Sequence, residues 1–214
     1  MRLPRVLLAD DHQLFLEGLR GLLEDDFDIV GMVNDGRALV AAAKKLKPDL
    51  VVADISMPSL NGIEATAQIM SQVQGVKVVL LTMHPDVTYA SRGFDAGVVG
   101  YVLKQSASSE LLTAIREALK GRTYVTPMVA GDLIRSYGRR EPRKVEDFTK
   151  KLTPRQRETL QLLAEGKSAK EIAGMLGISQ RTVEYHKYQM MRTLKIKTSA
   201  ELIQFAIKKG IISL

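Results

Sequence analysis

The apolar positions in the first half of the chain follow two rhythms. Short unbroken runs at Val6–Ala9, Ile29–Val33, Leu50–Ala53, Val76–Leu81 and Val98–Leu103 have the length of strands buried on both faces. Between them, over 13–24, 37–46, 62–72, 86–95 and 108–119, apolar residues recur with the spacing of amphipathic helices. These strand–helix repeats predict an α/β fold: a doubly wound, five-stranded parallel sheet with helices on both sides and right-handed crossovers.

The rhythm breaks at Thr123. Pro127, Gly131, Gly138, Pro142 and the charged run RREPRKVED predict a linker over 123–149, with room for one short helix near 128–136. Beyond Leu152 the pattern is helical. Thr153, Pro154 and Gln156 supply a capping hydroxyl, a proline for the first turn and a glutamine that reaches back; Gly166 ends that helix. Helices at 168–176, 180–194 and 198–208 complete a small all-α unit of four helices. The expected organisation is therefore 1–122, a linker at 123–149, and 150–214.

Charge separates the two parts. Residues 1–125 carry 13 basic and 15 acidic side chains, a net −2, whereas 126–214 carry 18 and 9, a net +9. The basic part is the candidate for a polyanionic partner. With 45% apolar and 26% charged residues, the composition is that of an ordinary globular protein. No run approaches the ~18 apolar residues of a membrane span, and the early Asp10–Asp11 pair argues against a secretory signal. Cysteine is absent, which fits a reducing compartment and makes the cytoplasm the expected location.

In doubly wound sheets, ligands bind beyond the carboxyl ends of the strands. Asp10 and Asp11 end the first predicted strand, Asp54 the third, Thr82 the fourth and Lys104 the fifth. An aspartate after a strand is ordinarily a cap or turn residue, and one Lys or Thr there carries little weight. Five such residues at corresponding ends are a different matter. Crowded carboxylates need a cation, and an all-oxygen set favours Mg2+ over softer metals. With that charge and Lys104 present, one carboxylate could attack a phosphoryl donor, and the Thr82 hydroxyl could hydrogen-bond the phosphoryl oxygens.

These residues carry a resemblance. ADD at 9–11, DISMPSLNG at 54–62, LT at 81–82 and GYVLK at 100–104 resemble the flavodoxin-like receiver domains of two-component response regulators, over about residues 3–120. The resemblance implies that Asp54 accepts phosphate from a sensor histidine kinase. It further implies that Asp10, Asp11, Asp54 and the Ser56 backbone carbonyl hold Mg2+, and that Thr82 and Lys104 contact the phosphoryl group. Tyr101 matches the family's switch aromatic, expected to turn inward as Thr82 moves toward the phosphoryl group. The only catalysis implied is the receiver's own phosphoryl transfer and dephosphorylation, so an enzyme acting on other substrates is not expected.

In SAKEIAGMLGISQRTVEYH, Ala173 permits close helix crossing, Gly177 the turn, and Ile172, Leu176, Ile178 and Val183 the apolar contact, as in a helix-turn-helix. Such helix pairs also occur in proteins that never touch DNA. On the second helix, Val183, Met190 and Leu194 share one face, flanked by His186 and Lys187; Arg181, Glu184, Tyr185, Tyr188 and Arg192 lie opposite, a face suited to a major groove. His186 reads as a packed core residue. Residues 150–212 resemble the LuxR-type DNA-binding domain, and the whole chain the NarL/FixJ family. That resemblance makes 180–194 the recognition helix, with Glu184, Tyr185 and Tyr188 toward bases; Lys170, Thr182, Lys187 and Arg192, as cationic and hydroxyl side chains, are the candidates for phosphate contacts. Leu202, Ile203, Phe205 and Ala206 give the last helix an apolar stripe that is either core alone or, as the resemblance implies, the face of a homodimer, which would read paired half-sites on double-stranded DNA. Basic residues are common at several of the base-facing positions in relatives, so Glu184 and the tyrosines leave the target sequence open.

Two other readings compete. A metal-dependent small-molecule phosphohydrolase also uses an aspartate nucleophile and Mg2+, but commonly places a second aspartate two residues later, where Ser56 stands, and no cap domain is visible. A receiver acting through protein contacts, its basic unit touching RNA or protein, would show salt-sensitive but sequence-indifferent binding.

Overall fold

The computed structural model describes residues 2–138 and 151–212, with side chains from 136 to 138 left aside. The chain divides into two compact units, Met1–Arg140 and Glu141–Leu214. In the first, strands β1 (Arg5–Ala9), β2 (Asp28–Val33), β3 (Leu50–Asp54), β4 (Lys77–Thr82), β5 (Gly100–Leu103) and β6 (Tyr124–Val125) form one sheet in the order β2-β1-β3-β4-β5-β6. Every pairing is parallel. The chain leaves β1 toward β2 on one side and returns to β3 on the other, which opens a crevice at the strands' carboxyl ends.

Helices cover both faces. α1 (Gln13–Leu23) and α5 (Ala107–Leu119) pack Leu16, Leu19, Leu111 and Ile115 on Val6, Leu8, Val52, Leu81 and Val102. On the other face, α2 (Gly36–Leu46), α3 (Gly62–Gln72) and α4 (Val87–Ala96) pack Leu39, Ile63, Ile69 and Ala90 on Leu7, Val51, Val78, Leu80 and Tyr101. The alternation along each strand thus feeds two cores, as expected of runs buried on both sides. Asp35, Asn61 and Asp86 start α2, α3 and α4 by accepting hydrogen bonds from first-turn N–H groups.

The sheet has one strand more than the five predicted, and 124–138 is not a linker. Tyr124–Val125 pairs with Gly100–Tyr101, and α6 (Pro127–Gly138) follows, its Val129 and Leu133 buried in the same core as Tyr101. A two-residue strand shows no periodicity, and the prolines and glycines of this stretch read as breakers. Pro127 instead opens a helix, where its missing N–H costs nothing. Thr126 anchors the segment. Its backbone N–H donates to the Tyr101 carbonyl at 2.9 Å. Its hydroxyl accepts from the Leu103 N–H at 3.1 Å and donates to Glu110 at 2.7 Å. The rest of the expected linker, 139–149, lies outside the described residues.

The second unit contains α7 (Pro154–Ala164), α8 (Ala169–Leu176), α9 (Gln180–Leu194) and α10 (Ser199–Lys208). Thr153 with Gln156, and Ser168 with Glu171, form capping boxes at α7 and α8. Gly177 ends α8 at φ 63°, and Ser179 then caps α9 by accepting from the Thr182 N–H. Leu162, Ile172, Ala173, Leu176 and Val183 close the core between α7, α8 and α9; Leu160, Met190, Leu202 and Ala206 close that beneath α10. Among the described residues, no helix is long and apolar enough to cross a membrane.

Candidate functional site

Strand ends bring three of the predicted side chains of the first unit into direct contact. Lys104 begins a 3-10 turn after β5, and its ammonium lies 2.7 Å from Asp10 Oδ2 and 2.8 Å from Asp54 Oδ2. Both carboxylates are buried, Asp10 to 1% and Asp54 to 3% exposure. Asp54 Oδ1 is buried without a hydrogen-bond partner, and Asp10 Oδ2 is held by the ion pair alone, not by an aligned hydrogen bond. One ammonium between two buried carboxylates leaves excess negative charge. Burial pushes the Asp54 carboxyl above its ordinary range, and Asp10 adds to this, while Lys104 and the Ser56 backbone N–H oppose it. Burial works against the Lys104 ammonium too, but the two carboxylates outweigh it and raise its pKa, so the lysine stays charged. The Lys104 ammonium also sits 4.8 Å from the centre of the Phe15 ring on α1.

Asp11 is partly exposed, and donor atoms of Asp10, Asp11, His12 and Asp54 all lie within 4.8 Å of one another. This group could hold a metal ion. Thr82, fully buried at the end of β4, accepts a hydrogen bond from the His84 N–H through its hydroxyl. Asp54 pairs in register with Leu81, the residue before Thr82. Ser56, in the turn after β3, pairs its hydroxyl with His84 Nε2 at 3.1 Å.

Tyr101 lies inward, 0% exposed, and donates its hydroxyl to the His84 carbonyl at 2.7 Å. Burial pushes this hydroxyl's pKa well above the usual tyrosine range. The His84 ring in turn stacks on Tyr89 of α4, centroids 4.5 Å apart. His84 thus touches the acceptor-side turn, Thr82, Tyr101 and α4 together. Sequence reasoning passed over it, as it did His12 and Phe15.

In the second unit, α9 turns Val183 and Met190 inward and leaves Arg181, Tyr185, Tyr188 and Arg192 exposed. The tyrosines are 59% and 64% exposed, unusual for aromatic side chains without a partner surface. His186 is half-buried, and burial, followed by the Arg155 charge, lowers its pKa. Glu184 pairs with Lys187 at 2.9 Å, and that ammonium also lies 5.6 Å from the Tyr188 ring centre. Lys170 is exposed in the first turn of α8, and Thr182, half-buried, pairs its hydroxyl with Ser179 at 2.8 Å.

The family model described as the response regulator receiver domain matches residues 6–116, and that of the bacterial regulatory proteins of the luxR family matches 150–206. The chain is a NarL/FixJ-family response regulator. The transcriptional regulatory protein MctR of Rhizobium johnstonii is 36% identical over 211 residues, covering 98% of this chain and 95% of the relative. The response regulator RcsB of Salmonella typhimurium aligns with a TM-score of 0.66 at 28% identity, over 98% of this chain and 99% of RcsB. RcsB solved in complex with DNA aligns with a TM-score of 0.59 at 28% identity, over 98% of this chain and all of that one. The acidic rim therefore belongs to a receiver domain and α9 to a LuxR-type DNA-binding domain, in a two-component regulator of transcription.

Proposed function

We propose that a sensor histidine kinase phosphorylates Asp54 of this response regulator, and that the phosphoryl group raises the affinity of the LuxR-type domain for specific DNA. The observation that carries this reading is the buried Asp54 carboxylate, one oxygen on Lys104 and the other without a partner. In the transfer, an Asp54 oxygen attacks phosphorus, the P–N bond of the kinase phosphohistidine breaks, and the imidazole leaves. Lys104 then stabilises the added negative charge, and the Thr82 hydroxyl exchanges its His84 partner for a phosphoryl oxygen. Asp10, Asp11, Asp54 and the Ser56 carbonyl would hold Mg2+, which supplies charge neutralisation for the transfer; the unsatisfied Asp54 Oδ1 and the carboxylate-rich donor set fit such an ion.

Tyr101 is the switch, through its bond to the loop that begins at Thr82 and its place in the core that α6 also enters. An apolar cleft of ≈ 800 Å3, lined by Leu14, Phe15, Leu22, Met83, Lys104 and Ala107, opens beside the site and suits a helical kinase surface. Exposed Leu14 and Met83 support that use. The regulator works in the cytoplasm, where its DNA lies, and α10 pairs two copies on paired half-sites.

The test captures genomic DNA fragments on the protein with and without acetyl phosphate, then titrates the enriched operator. Phosphorylation should tighten operator binding by about tenfold, a coupling of ordinary size. Equal affinity with and without phosphate would refute the switch. Sequence-indifferent binding would favour the RNA or protein reading, and turnover of small phosphoesters the hydrolase.

Within the DNA-binding unit, Lys170 and Glu184 are expected to behave differently. Lys170→Ala should weaken binding evenly across operator variants and reduce the slope of log affinity against log salt by about 0.9. Glu184→Ala should instead change the ranking of variants, because a carboxylate accepts from a cytosine amino group. Reading that group requires Glu184 to leave Lys187, which is then available for a phosphate. An equal loss on every variant for Glu184→Ala would remove its base-reading role.

A further inference from the structure

His12 follows the paired aspartates and occupies the N-cap position of α1, yet its side chain caps nothing. It turns instead to the acidic rim. Its Nδ1 stands 2.9 Å from Asp11 Oδ1 and 3.2 Å from Asp10 Oδ1. In this structure the ring nitrogen pairs directly with these carboxylates, and because adjacent ligands of an octahedral ion with bonds of about 2.1 Å lie about 3.0 Å apart, the same atoms can take neighbouring places on an ion with little movement. The set extends to Asp54, whose buried Oδ1 has no partner. The ring is 70% exposed and can adjust at little cost.

An imidazole nitrogen changes what the rim prefers. Carboxylate and carbonyl oxygens suit Mg2+, whereas imidazole suits borderline transition ions and gives Mg2+ little. The other histidines are elsewhere engaged, His84 with Ser56 and Tyr89, His186 half-buried on α9. The chain has no cysteine to draw such ions away.

We propose that His12 is a metal-selecting ligand: Nδ1 joins Asp11 and Asp54 on a borderline divalent transition ion and stays off Mg2+. This rests on the reading of the rim as a divalent-cation site, and gives the regulator a response to the identity of the metal in its pocket.

The test is calorimetric titration of the full chain with CoCl2 and with MgCl2 at about pH 8, for the wild type, His12→Ala and Asp54→Asn. His12→Ala should weaken Co2+ by about tenfold or more and Mg2+ by less than about twofold. In proton NMR, the Co2+-loaded wild type should show a strongly shifted, exchangeable imidazole N–H resonance that His12→Ala lacks. Equal weakening of both ions would make His12 an organiser of Asp10 and Asp11 by hydrogen bonding, and would overturn the proposal. Unchanged Co2+ affinity, or a shifted resonance that survives His12→Ala, would overturn it too. If Asp54→Asn binds both ions as the wild type does, the cation-site reading itself fails, a separate result.

Discussion

Asp54→Asn is expected to abolish phosphate incorporation from acetyl phosphate and, at near-neutral pH, to raise the thermal midpoint by about 3 °C. The first effect removes the nucleophile; label appearing on Asp10 or Asp11 instead would show that the acceptor is misassigned. The second follows from electrostatics. Lys104 can neutralise only one of its two buried carboxylates, and burial is the largest influence raising the Asp54 pKa. A carboxyl held above its ordinary 3.8 in the folded state binds a proton more tightly there than in the unfolded chain. Its contribution to stability is present below that ordinary value and is lost as pH rises through the raised range. Asparagine has nearly the protonated shape and never ionises, and it leaves Lys104 paired with Asp10. The gap between variant and wild type should therefore be wide at about pH 7 and narrow at about pH 4. Denaturation at both values checks this, and a variant less stable at neutral pH would contradict it. Function here retains a charge that stability alone would remove.

Gly62→Ala should cost about 3 kcal/mol and slow phosphorylation as well. Gly62 opens α3 directly against the end of β3, donating its N–H to the Ile55 carbonyl at 2.9 Å. A Cβ there would stand 2.1 Å from the Asp54 carbonyl oxygen and 3.1 Å from the Ile55 Cα. Those are backbone atoms and cannot rotate away, so the acceptor strand or α3 must shift. Gly18→Ala is the matched control. Mid-helix in α1, an added Cβ meets nothing within 4 Å, and alanine should stabilise by about 1 kcal/mol. Urea unfolding of both variants, with phosphorylation rates, separates crowding at the acceptor from a general effect of losing glycine. Equal stability of Gly62→Ala and wild type would sink the close-approach argument.

Much of this was legible before any coordinates. Asp10, Asp54 and Lys104 could be assembled from chain order because parallel strands end at one edge, and that rule needs no knowledge of loops. The capping box at Thr153 follows local spacing and was read from it, whereas the one at Ser168 and Glu171 has the same spacing and was passed over. His12, Phe15 and His84 escaped because their roles depend on where a ring swings after the backbone is set. His84 is bound to Ser56, 28 residues away, and to Tyr101, 17 away, and no periodicity encodes such pairs. The i,i+3 spacing of Glu184 and Lys187 was visible, but the two were assigned to different faces, so their ion pair was missed. β6 was lost because its pairing is secured by the Thr126 hydroxyl rather than by a run of apolar residues.

That hydroxyl bears on where the receiver can be cut. A fragment ending after α5 would strand the Leu103 amide, take away both hydroxyls that donate to Glu110, and open the core that Tyr101 shares with Val129 and Leu133. The first loss falls on the strand that carries the aromatic residue, the second on α5, and the third on the core around that residue. A receiver excised at Leu119 would thus be less stable and would hold Tyr101 differently, whereas one extending through Gly138 retains its own edge.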